Sequence, residues 1–448
     1  MDPKASKNRY GKVIVWLTAL LIVVAASLVA RKSASMSTPG SSVFGLAYGF
    51  GPSVYSLVQL HRFGMFVPEH GWWAVALRMP FIPLFLAGLS QISTNLTFQF
   101  VAKNLFFYSL VLICLGRLGE HYGVPYRRQL VTALALLLIP FNILIACRIE
   151  VEEGYLFPLM LVVYVLLLVQ KKIPDYVWCG LVTAGIYLIK SSMGPFCVVV
   201  ALWTILHDLW RYRSLKLKSF VPIAALIAVM VAWGGYVKAR TGRFAIGANE
   251  SSWNGENLYK GNNPTALQYY PYISLDLLEP VGMLPIPVVP HNEWELNDAD
   301  RDMAVRFIKG HPADVLKMDL RKARVLFVQI RESPTPVTVE FPKVIIGKDR
   351  MTVMLSNLID HLIFAGFLVF AAVDLWKRKL REYTVVALAL GGAYLAPYFL
   401  GFLYQRHLVP LFGMVILALG LRLNEWARPA EEAAPATAAG HASRVGVC

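Results

Sequence analysis

Apolar blocks about 15–22 residues long recur from one end of this chain to the other, and they restrict what it can fold into more than any motif does. At about 1.5 Å per residue, each is long enough to carry a helix through most or all of the ~30 Å hydrocarbon layer of a bilayer. They lie near 12–30, 100–117, 129–147, 154–170, 176–190, 194–210, 219–236, 355–376, 384–402 and 405–424. A further block at 79–92 carries Pro80 and Pro83. With about fourteen residues it is too short to span, and reads as an interfacial or re-entrant piece. Composition agrees: 56% of the 448 residues are apolar, 16% are charged, and the mean hydropathy is +0.53. A soluble domain of this length needs more charge to cover its surface. The expected fold class is an all-α integral membrane protein with about ten transmembrane helices, a first outer loop of interfacial helices and a large mixed extracytoplasmic loop.

The net charge of +15 would suit a nucleic-acid binder, but the basic residues sit in short runs between apolar blocks. Cytoplasmic loops anchor to anionic lipid in this way, so membrane lipids are the expected partner and nucleic acid is not. If the N-terminus is cytoplasmic and 79–92 does not cross, every strongly basic connection falls inside. These are Arg117/Arg127/Arg128, Lys171/Lys172, Arg211/Arg213/Lys216/Lys218 and Lys377/Arg378/Lys379/Arg381. The basic start (Lys4, Lys7, Arg9, Lys12) and Arg31–Lys32 mark the first block as a retained helix rather than a signal peptide.

Residues 1–236 are thus expected to hold helices one to seven with the first outer loop at 31–99. Residues 237–352 would form an extracytoplasmic loop domain, and 353–424 helices eight to ten. Residues 425–448, rich in Ala, Pro and Glu, read as a disordered cytoplasmic tail. Five cysteines at 114, 147, 179, 197 and 448 show no metal or disulfide spacing, and His61, His70 and His407 form no ligand pair. No metal and no cofactor is expected.

Charged residues near membrane depth are site candidates by default. On this topology Arg78, the acidic run Glu150/Glu152/Glu153, Lys190 and Arg406 share the outer face with the long loop. In that loop Asn257-Leu-Tyr-Lys-Gly-Asn-Asn-Pro264 combines turn chemistry with the Asn and aromatic side chains that sugar recognition uses. An ordered structural loop is the blander reading. Farther on, Asp298 or Asp300 is expected to cap a helix, and Pro312 to break it into two amphipathic helices on the membrane surface.

Several segments together resemble the GT-C superfamily of polyprenyl-phosphate-sugar glycosyltransferases. They are Arg240-Thr-Gly-Arg-Phe, the Asn257–Pro264 run, Ala304-Val-Arg-Phe-Ile-Lys-Gly-His-Pro312 with Lys322, Arg78-Met-Pro-Phe-Ile-Pro, Leu188-Ile-Lys-Ser191 and Gln405-Arg-His-Leu-Val-Pro410. The likeness is to the bacterial branch akin to protein O-mannosyltransferases and lipid A aminoarabinose transferases, and it covers nearly the whole chain in order.

The resemblance implies an inner (plasma) membrane enzyme that moves a sugar, with inversion, from a polyprenyl phosphate to an extracytoplasmic glycan, lipid or protein acceptor. It implies cations on the donor phosphate, here Arg78, Lys190 and Arg406, each of which would otherwise be an interface anchor. It also implies a first-loop acid, which this sequence replaces: Gly49-Phe-Gly-Pro-Ser-Val-Tyr55 has Pro52 and Ser53 at that place. Glu69, the lone carboxylate of loop 31–99, is the substitute base, with Glu152 and Glu153 as acceptor-binding or second acids. Asn257, Tyr259, Asn262 and Asn263 are the expected sugar contacts. An O-antigen ligase or polymerase, or a polytopic lipid or sugar transporter, remains as the alternative. The transporter is disfavoured because the charges lie at outer helix ends and no paired halves are visible.

Overall fold

The structure, a computed structural model, describes residues 16–28, 42–46, 49–68, 71–138, 149, 151–249, 254–270, 290–327, 350–401, 403 and 405–426. It is almost wholly helical. The helices run α1 (Trp16–Leu28), α2 (Phe50–Gln59), α3 (Phe81–Ser90), α4 (Leu96–His121), α5 (Tyr126–Leu138), α6 (Glu153–Val169), α7 (Ile173–Ile189), α8 (Gly194–Tyr212) and α9 (Val221–Thr241), and all but α2 stand at apolar blocks. The long loop contributes α10 (Gly255–Gly261), α11 (Pro264–Tyr269), α12 (Glu293–Gly310) and α13 (Pro312–Phe327). The chain then returns to the bundle in α14 (Arg350–Trp376), α15 (Glu382–Leu400) and α16 (Val409–Trp426).

Among the described residues four helical segments are long and apolar enough to cross a membrane: Leu96–His121, Ser191–Tyr212, Leu217–Thr241 and Glu382–Leu400. Shorter apolar helices accompany them. The ten residues of α3 rise only about 15 Å, half the hydrocarbon depth. Large apolar side chains such as Ile113, Leu206 and Val231 point outward from the bundle, as a lipid-facing surface requires.

At the centre runs α6, whose seventeen residues are all buried. A helix apolar on every side has no face to give to water, and here its neighbours enclose it. It packs on α4, α7, α15 and α16, while α7 packs on α9 and α8 on α15.

The segment between α1 and α3 contains an element that helical expectations lacked. Two short strands, β1 (Met65–Val67) and β2 (Trp72–Ala74), pair antiparallel between α2 and α3. Gly64 and Gly71 directly precede the two strands at φ +126° and +71°, values that only glycine adopts readily. The long loop has its own small core of Leu258, Tyr259, Ala266, Tyr270, Ala304 and Met318.

The break expected at Pro312 falls there, but the cap of α12 lies upstream of Asp298 and Asp300. Asn292 caps it, accepting from the N–H groups of Trp294 (3.0 Å) and Glu295 (3.1 Å), while Glu295 reaches back to the N–H of His291 (2.9 Å). That Asn-x-x-Glu pattern is a helix-start signal in its own right. Asp298 instead forms a two-pronged pair with Arg243 at 2.6 and 3.1 Å, which lowers its pKa below the ordinary carboxylate range. Leu316 and Leu320 of α13 are exposed.

Candidate active site at one end of the bundle

Glu152 and Glu153 begin α6, and Lys190 ends α7, its antiparallel neighbour. Helix dipoles favour acids at the first position and a cation at the second, and the hairpin of helices brings the two ends together. Lys190 Nζ lies 2.6 Å from Glu152 Oε2 and 3.9 Å from Glu153 Oε1. Arg78, between β2 and α3, reaches the other Glu152 oxygen at 3.5 Å. One carboxylate therefore bridges two cations delivered by different segments, with all three side chains only 15–17% exposed. Burial works against the charge on Lys190, but Glu152 and Glu153 outweigh it and raise its pKa.

Aromatic rings wall this cluster. The Arg78 guanidinium stands 5.2 Å from the Phe50 ring centre, and the Lys190 ammonium 5.4 Å from that of Tyr398. His407, from the 3-10 turn Gln405–Leu408, stacks on Tyr398 at 4.1 Å and brings Nε2 to 3.5 Å from Glu153. Arg406 is on the same turn, though its side chain lies outside the described residues, as do Glu69 and Glu150. The structure thus assembles Arg78, Glu152, Glu153 and Lys190 and leaves the position of Glu69 open.

Three neighbours went unselected in the sequence. Glu256 and Lys260, one turn apart on α10, form an ion pair in which Lys260 is buried and Glu256 half-buried. Burial would raise the Glu256 pKa, yet Lys260 and then Arg78 overcome this and lower it, which places α10 beside the cluster. Lys260 belongs to the run that ends Gly-Asn-Asn-Pro and Glu256 immediately precedes it, and their i, i+4 spacing was the available signal. Lys103 is buried in α4 with its ammonium 4.8 Å from the Tyr155 ring centre. A lysine deep in an apolar block is costly, and that cost was its signal.

The four residues expected to touch sugar are placed less suggestively. Asn262 donates to the carbonyls of Leu258 (2.9 Å) and Leu400 (2.6 Å). Asn263 donates to those of Tyr259 (2.7 Å) and Lys260 (3.2 Å) and caps α11 by accepting from Ala266 N–H (2.7 Å). Tyr259 packs in the loop's own core, and Asn257 lies on α10. A Cβ on Gly261 would fall 2.0 Å from the Gly401 carbonyl oxygen, so glycine is required for α10 to dock on the end of α15. Lys322, whose pKa burial lowers, donates to Phe399 O, and Tyr270 to Leu403 O. The last carbonyls of a helix have no partner within it. Here the loop supplies donors and is fastened over the site.

A second fastening fixes Arg78. Glu293, the first residue of α12, accepts from Val75 N–H (3.0 Å) and Ala76 N–H (2.9 Å), and Asn249 N–H donates to Ala76 O (2.8 Å). Burial pushes the Glu293 pKa up while those two N–H groups pull it down. Glu293→Ala leaves two buried donors unpaired, at about 1–3 kcal/mol each. Thermal unfolding in detergent should show that loss.

No family model and no curated protein matches the chain. Among solved structures it is similar to ArnT from Cupriavidus metallidurans bound to undecaprenyl phosphate, at 16% identity and a TM-score of 0.40, over 92% of this chain and 76% of that one. It is also similar to the archaeal oligosaccharyltransferase AglB from Archaeoglobus fulgidus, in complex with an inhibitory peptide and a dolichol-phosphate, at 10% identity and a TM-score of 0.42. That match covers 94% of this chain and 52% of AglB, so the chain spans about half its length.

Proposed function

We propose that the chain is a membrane glycosyltransferase that takes a sugar from a polyprenyl phosphate and passes it, with inversion, to an extracytoplasmic glycan, lipid or protein. The observation that carries the reading is the Glu152 carboxylate held between Arg78 and Lys190 in a poorly solvated, aromatic-walled site. Two cations fixed by the fold at one point suit a phosphate, and in such surroundings they act more strongly than in water. A donor phosphate entering between them takes the place of Glu152 and frees its carboxylate.

The chemistry then balances simply. The acceptor oxygen bonds to the anomeric carbon as the bond from that carbon to the phosphate oxygen breaks. The electron pair leaves with polyprenyl phosphate, whose charge Arg78, Lys190 and Arg406 offset. The acceptor proton passes to a carboxylate, Glu152 or Glu69. Undecaprenyl phosphate retained by the purified chain in native mass spectrometry tests the phosphate site. One molecule should stay with the wild type and be lost in the Arg78→Ala, Lys190→Ala double variant. Undiminished retention in that variant would reject the assignment.

About ten crossings, with the N-terminus cytoplasmic in an inner (plasma) membrane, belong to the same proposal. Residues 237–352 would then face outward and 425–448 inward. In a background without native cysteines, Lys309→Cys should label with impermeant maleimide from outside intact cells, and Ser214→Cys only after permeabilisation. Equal labelling of both from outside would break this topology.

A further inference from the structure

A cavity of about 460 Å³ opens between α4, α5 and α16. It lies at the end of the bundle away from the candidate active site: α16 starts beside His407 and reaches the cavity at Asn424, roughly 25 Å along its axis. Its walls are mainly apolar, formed by Leu115, Leu118, Val131, Leu417 and Leu421. Its polar groups include Arg128, Gln129 and Asn424. Gln129 is committed to the chain, donating to Val124 O at 2.7 Å. Arg128 differs. Among the described residues its guanidinium makes one hydrogen bond, Nη1 to Asn424 Oδ1 at 2.9 Å, and no ion pair, while the residue is exposed.

We infer that this cavity binds one anionic phospholipid of the adjoining leaflet, an acyl chain lying in the cleft and the phosphate resting on Arg128. An apolar slot open at the side of a membrane bundle accepts hydrocarbon. The guanidinium at a helix end stands near headgroup depth and offers donors in the fork geometry that suits phosphate. Asn424 holds that fork at the rim. The inference rests on the chain being embedded in a membrane and not on the transferase reading.

Native mass spectrometry of the purified full chain, titrated with phosphatidylglycerol, phosphatidylethanolamine or undecaprenyl phosphate, tests it. Two variants report on the two halves of the site. Arg128→Gln removes the charge at an exposed position. Gly420→Leu fills the slot, because a Cβ there meets only Thr132, at 3.8 Å, and the rest of the side chain grows into the void. The wild type should retain one phosphatidylglycerol in preference to phosphatidylethanolamine. Arg128→Gln should weaken that retention about fivefold, the worth of one basic residue at an anionic surface. Gly420→Leu should abolish it with the melting temperature unchanged. Equal retention by all three proteins, equal retention of the two phospholipids, or loss in these variants of undecaprenyl phosphate rather than phosphatidylglycerol would overturn the assignment.

Discussion

Glu152→Gln is expected to lower sugar transfer by about 10²–10⁴ while donor binding holds or tightens. The amide keeps the shape of the side chain but cannot take a proton, and that range is what a positioned general base contributes. Binding moves the other way because Glu152 now competes with phosphate for Arg78 and Lys190. Removing its charge leaves both cations unneutralised until a donor arrives. Initial rates and donor affinity measured together separate these effects, since a mere structural lesion would weaken both. The matching variant Glu69→Gln assigns the base. A loss confined to Glu69→Gln would move proton transfer to the first outer loop and leave Glu152 as a gatekeeper of the phosphate site.

Lys190→Ala should cost both rate and stability, because it removes a phosphate contact and leaves Glu152 with Arg78 and Glu153 with His407. Losing one preorganised donor to developing charge lowers turnover by roughly 10²–10³. Glu152, 15% exposed, would also lose its nearest cation, and breaking a buried pair typically costs about 3–5 kcal/mol of stability. Adding Glu152→Gln to Lys190→Ala should restore part of the stability and none of the rate. Recovery of both would make the cluster structural. Arg406→Ala is expected to lose about two orders of magnitude in turnover, with Arg406→Lys recovering part, since an ammonium cannot make the two-pronged contact.

The bundle was legible because lipid imposes long apolar runs, and helices of the structure stand where those runs are. Arg78, Glu152, Glu153 and Lys190 were legible for the converse reason: charge beside such runs is expensive and therefore conspicuous. Their meeting at Glu152 was not, because it depends on how α6 and α7 turn back on each other and on the Glu293 clasp that fixes Arg78. The clasp joins residues more than 200 positions apart, and no local pattern announces it. Asn262 and Asn263 are hard to read for a related reason. An asparagine that holds a helix end and one that holds a sugar look alike until the partner carbonyl of Leu400 is in view. His407 was weighed only as a metal ligand; its pairing with Glu153 needed the turn that begins α16.

Transfer itself is the most direct test. The purified chain in proteoliposomes, supplied with undecaprenyl phosphates carrying a labelled pentose, hexose or amino sugar and with an envelope extract as acceptor, should release undecaprenyl phosphate as label enters the acceptor fraction. The Glu152→Gln, Glu69→Gln double variant should do neither. Stoichiometric donor binding by the wild type with no release from any donor, or release undiminished in the double variant, would contradict the account.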